Sequence, residues 1–105
     1  MKKEHIDQLR LIVLDLAEKV HPQWPNDIIH AAAIIAEESG ELMQACLNYV
    51  YSDGGLKEIE DEAMSVAAMV HRFMLHFPEY YEFVPRYGPD KRFKRKAELV
   101  RKKHD

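Results

Sequence analysis

The chain has 105 residues, enough for one domain with a modest core and too few for two. Hydrophobic residues make up 47% and charged residues 31%, a balance that argues against both a disordered chain and a membrane-spanning one. The net charge of −3 is unevenly spread: residues 1–90 hold seven Lys and Arg against sixteen Asp and Glu, net −9, and residues 91–105 hold eight against two, net +6.

No apolar run approaches the roughly 20 residues of a membrane helix, and "MKKEHIDQLRLIV" mixes acids into its apolar pattern instead of building a signal core. A cytoplasmic protein with no membrane partner is expected. Cys46 stands alone between Ala45 and Leu47, so it reads as a small buried hydrophobe and no internal disulfide exists. The basic stretch at 90–105, "KRFKRKAELVRKKHD" after Asp90, is short and has one aromatic; it reads as a solvated helix or tail, and nucleic acid is not the expected partner.

Helix one is predicted over Lys3 to Val20, where Ile6, Leu9, Val13, Leu16 and Val20 recur at helical spacing. "HPQWPND" breaks it, and Asn26 or Asp27 offers an N-cap for helix two, predicted from Asp27 to Tyr51. "SDGG" ends that helix, with Gly54 or Gly55 expected in a left-handed conformation. Helix three is predicted from Leu56 to Phe77, where Pro78 closes it. "PEYYEFVPRYGPD" then reads as a loop or single helical turn, and Pro89 opens a fourth helix ending near Lys102. No strand signal, repeat or low-complexity segment is present. The expected fold is all-α, a single domain over 1–105 built as a bundle of about four helices around two long antiparallel ones.

The chemistry is concentrated on those two helices. Four residues advance a helix by about 400°, so Glu37 and Glu41 lie about 40° apart in azimuth and Glu38 and Glu41 about 60° apart. Glu58, Asp61, Glu62 and Ser65 make a second stripe on helix three, at i, i+3, i+4 and i+7. Like charges at these spacings repel, yet Lys57 is the only Lys or Arg between Lys19 and Arg72. A solvated acidic face explains an ordinary charge run; here the acids are embedded among apolar residues, and a hard divalent cation such as Mg²⁺, with Mn²⁺ as substitute, accounts for them better. A di-iron bundle needs Glu-x-x-His on two helices, and only Glu18 to His21 has that spacing.

"EESGEL" followed across a short loop by "EIEDEAMSVAAMV" resembles the all-α nucleoside triphosphate pyrophosphohydrolase superfamily, the MazG-like proteins, whose signature is Glu-Glu-x-x-Glu on one helix and Glu-x-x-Asp on the next. The resemblance covers residues from about Trp24 to Phe77. Glu58 and Asp61 satisfy the second half literally. The apolar run of helix three begins at Val66, however, so the favoured register pairs Glu62 with Ser65 and replaces the family's Asp by Ser.

The resemblance implies a Mg²⁺-dependent hydrolase that cleaves a (d)NTP to the monophosphate and pyrophosphate. Glu38, Glu41, Glu62, Ser65 and Asp61 then fall to the metal and Glu37 to general-base catalysis. Trp24, Asn48 and Lys57 are the candidates for substrate contacts. The resemblance also implies a homodimer or homotetramer. Two other readings stand beside it: a metal- or nucleotide-binding relative weakened by the change to Ser65, and a helical oligomerisation module.

Overall fold

The computed structural model describes residues 1–81; the helix expected after Pro89 and the basic stretch at 90–105 lie outside them. Among the described residues the chain is all-α, with α1 at Lys3–Val20, α2 at Ile28–Tyr51, α3 at Leu56–Leu75 and a single turn, α4, at Phe77–Tyr80. No helix of the described residues is long and apolar enough to cross a membrane.

Each boundary has a local cause. α1 ends at His21, the residue before Pro22, whose backbone the proline ring disfavours in a helical conformation. α2 is capped by Asp27, whose Oδ1 accepts from the backbone N–H groups of Ile29 and His30 at 2.8 and 3.3 Å. Such a cap is worth about 1 kcal/mol. α3 stops two residues earlier than the spacing predicts. His76 leaves the helix at φ −92°, ψ 1°, and Pro78 enters the first turn of α4, where its missing N–H costs nothing.

The α2–α3 turn also departs from expectation. Neither Gly54 nor Gly55 lies in the left-handed region. Gly54 is required by space instead: its N–H and that of Ser52 both reach the Asn48 carbonyl, at 3.2 and 2.9 Å, and a Cβ at residue 54 meets the Asn48 Cβ at 2.9 Å and its carbonyl carbon at 3.0 Å. A Cβ on Gly55 meets nothing within 4 Å. Gly54→Ala is therefore expected to cost about 1 to 3 kcal/mol by overpacking against backbone that cannot yield, and Gly55→Ala to be tolerated. Urea unfolding of the two variants checks this.

α3 is the central element and packs against both α1 and α2, and the short turn makes α2 and α3 an antiparallel pair. The core gathers where all elements converge, from Leu14, Trp24, Ala31, Ala68, Met69 and Tyr80, with Phe73 and Phe77 packed against it. Trp24 anchors it: the indole N–H donates to the Tyr80 hydroxyl at 2.7 Å across 56 residues of sequence. Toward the α2–α3 turn the core thins, and Ala45 is the buried residue there. Large apolar side chains such as Ile29, Met43, Val50 and Leu56 lie open on the outer surfaces.

Candidate metal centre

The α2–α3 pairing brings Glu38 and Glu41 of α2 against Glu62 of α3. One carboxylate oxygen from each lies within 4.8 Å of the other two. Glu38 and Glu62 are half-buried and Glu41 is exposed. Helical geometry explains the convergence: Glu38 and Glu41, three residues apart, share the face of α2 that meets α3, and Glu62 answers from the facing side of α3.

The electrostatics of the cluster are strained. Burial pushes the Glu38 carboxyl above the usual carboxylate range, and the charges of Glu41 and Glu62 push it further. Glu62 is shifted the same way, again first by desolvation and then by Glu41. In the folded chain both groups hold their protons to a higher pH than in the unfolded chain, so their contribution to stability is favourable in acid. It is lost as pH rises from about 4.5 through the raised values. A divalent cation held there would offset this cost. The melting temperature in Mg²⁺ relative to EDTA is accordingly expected to rise more at pH 7.5 than at pH 5. Glu62→Gln should shrink that difference; a Mg²⁺ increment independent of pH contradicts the assignment.

Two cavities flank the cluster. One, of about 340 Å³, is lined by Glu41, Gln44, Asn48, Glu58, Asp61 and Glu62. The other, of about 310 Å³, has Glu37, Glu38 and Ser65 on one wall and Trp24, Met69 and Arg72 on another. The residues singled out in the sequence are thus distributed, not pooled. Ser65 stands in the Glu38 cavity and Asp61 in the other; Glu37 borders the cluster without joining it.

Asp61 is exposed and paired with Lys57 at 2.8 Å; among the described residues it is the acid of the α3 stripe that has a basic partner. That pairing raises the Lys57 ammonium pKa and leaves Lys57 serving the carboxylate stripe. Asn48 lines the first cavity, where its side-chain oxygen accepts from Gln44 at 2.9 Å. Trp24 lines the second, 8% exposed, with the Arg72 guanidinium 5.1 Å from its ring centroid and the His76 ring stacked at 5.9 Å. Trp24 and Asn48 therefore border different cavities.

Arg72 is the residue whose role the sequence conceals. It is 4% exposed, donates to the His21 carbonyl, and keeps a buried Nε without a partner. Its charge is met by the Trp24 ring and by its place in the last turn of α3, where the helix dipole favours a cation. A lone Arg between His71 and Phe73 gives no periodic signal of this burial.

The donor set fits a hard cation. It is all oxygen, and an octahedral ion with ligands at about 2.1 Å separates opposite oxygens by about 4.2 Å, within small side-chain adjustments of the observed spread. Among the described residues no histidine joins the cluster. No family model matches this chain, and neither a curated protein nor a solved structure matches it, so the likeness to MazG-like proteins rests on the motif residues themselves.

Proposed function

We propose that the chain is a Mg²⁺-dependent nucleoside triphosphate pyrophosphohydrolase, releasing pyrophosphate and a nucleoside monophosphate. The observation that carries this reading is the convergence of Glu38, Glu41 and Glu62 from two helices, with no Lys or Arg among the described residues paired to them. These three would hold the ion, Mn²⁺ serving in place of Mg²⁺. When bound, the ion supplies Lewis-acid stabilisation of the phosphate oxygens.

The chain's own groups do the rest. Glu37 borders the cluster from the Glu38 cavity, where it can accept a proton from the attacking water. Arg72 lines the same cavity but is 4% exposed and committed to the Trp24 ring and the His21 carbonyl, so it is not assigned to the phosphates. The base is assigned to the Asn48 cavity, because the Trp24 ring is already engaged by Arg72 and His76. The amide nitrogen of Asn48 then reads a base edge.

A second reading, binding without turnover, is favoured by Ser65: a neutral hydroxyl stands where the motif supplies a carboxylate, and Asp61 is turned to Lys57. A panel of deoxynucleoside and ribonucleoside triphosphates with Mg²⁺, assayed for pyrophosphate, separates the two. Turnover of any nucleotide supports hydrolysis. No turnover, with a melting temperature that still rises in Mg²⁺, leaves the binding reading; the absence of both overturns the site. Ser65→Asp is expected to tighten Mg²⁺ binding in either case.

A further inference from the structure

The connector between α1 and α2 is held almost wholly by side chains from elsewhere. Among the described residues, 22–26 make no backbone–backbone hydrogen bond, and Pro22 and Pro25 have no N–H to give. The ends of the segment are fixed: the His21 carbonyl accepts from Arg72, and Asp27 caps α2. Between those points, both hydrogen bonds that the described residues supply pass through one atom. The Tyr80 hydroxyl accepts from the Trp24 indole N–H at 2.7 Å and donates to the Pro25 carbonyl at 3.4 Å. Tyr80 itself is 2% exposed and packed against the rings of Phe73 and Phe77.

The place of Trp24 gives this arrangement a use. Gln23 and Trp24 line the cavity beside Glu38 and also a wider one, whose other walls are Pro25, Asn26, Asp27 and His30. They are the two residues that these cavities have in common, and so form the wall between them.

We infer that residues 22–26 are a flap hinged at His21 and Asp27, with Trp24 as its gate and the Tyr80 hydroxyl as its latch. Swung out, the indole joins the two cavities into one cleft running from Glu37, Glu38 and Ser65 to the N-terminus of α2. Opening gives up the bonds of one hydroxyl, the ring contacts with Arg72 and His76, and the burial of one side chain. The three long helices keep their own backbone hydrogen bonds throughout. The closed form therefore dominates, and the open form is a minor population reached by local unfolding, well below the cost of opening the whole domain. The inference goes beyond the hydrolase reading and stands without it, because the motion is measured without metal or nucleotide.

Tyr80→Phe removes the latch and keeps an aromatic ring beside Phe73 and Phe77. In a full chain that also carries Ser65→Cys, iodoacetamide meets two thiols: one in the Glu38 cavity, and Cys46, which lines neither cavity. Peptide mass spectrometry gives the ratio of the two alkylation rates. Tyr80→Phe is expected to raise labelling at residue 65 relative to Cys46 by about three- to tenfold, the change in open population that loss of about one net hydrogen bond gives. Acrylamide quenching of Trp24, the sole tryptophan, should rise with it, and far-ultraviolet circular dichroism should not change. His76→Ala, which removes the ring stacked on Trp24, should move both readouts in the same direction by less. A constant ratio overturns the inference: an equal rise at both thiols is general loosening, and no rise at either makes Trp24 a fixed part of the core. Quenching that rises while the ratio stays constant overturns it too, since the ring then moves without opening the Glu38 cavity.

Discussion

Glu38→Gln is expected to abolish Mg²⁺ binding and to lower pyrophosphate release by more than about 100-fold, beyond what loss of an outer-shell partner of a metal ligand costs. The same change should leave the metal-free protein more stable. Glu38 is the member of the cluster that feels Glu41, Glu62 and Glu37 together, and its ionised form is disfavoured by burial before any of them. Removing that charge relieves repulsion worth a few tenths of a kcal/mol for each close pair, and more where desolvated. The expected signature is therefore a crossing: at pH values above the raised Glu38 range the variant melts higher than wild type in EDTA and lower in excess Mg²⁺. Thermal unfolding in the two buffers, with a pyrophosphate assay beside it, checks all three arms. A variant that loses activity but keeps the wild-type Mg²⁺ shift removes Glu38 from the ligand set.

Arg72→Met is expected to destabilise the fold strongly for a change that keeps the side chain's bulk. The methionine keeps much of the apolar stem but removes the hydrogen bond to the His21 carbonyl and the charge over Trp24. A hydrogen bond from a charged donor contributes about 1.5 to 3 kcal/mol and a desolvated cation–π contact about 2, offset by release of the unpartnered Nε. A net loss of about 2 to 3 kcal/mol follows, or roughly 10 to 20 °C in melting temperature for a domain of this size. Arg72→Lys should recover less than half of it, since an ammonium cannot reach the carbonyl and cover the ring as a planar fork does. Equal stability of the Lys variant and wild type refutes the assigned geometry.

Helices α1 and α2 are legible in the sequence nearly to the residue because apolar spacing, Pro22 and the Asp27 cap all point to the same boundaries. The end of α3 is not, since Phe77 continues the apolar spacing while Pro78 forbids the helix that spacing implies. The two glycines of the turn signal a break without saying whether torsion or space demands them, and only the approach of Asn48 decides that.

Local spacing also places Glu38 and Glu41 on one face, and the short turn sets Glu62 opposite. It cannot show that Lys57 takes Asp61, a choice among several acids within reach. Contacts between distant segments leave no periodic trace at all. Trp24 with Tyr80 and Arg10 Nε with His71 Nδ1 at 3.2 Å are of this kind.

The packing of both other long helices on α3 has a consequence for the order in which the molecule opens. α2 and α3 are neighbours in sequence and form their contacts by closing a short loop, which is fast and entropically cheap. α1 docks on α3 and supplies none of the three clustered carboxylates. Amides of α1 should then exchange with solvent at a lower free energy than those along the α2–α3 pair, and a molecule with α1 detached should retain the carboxylate cluster.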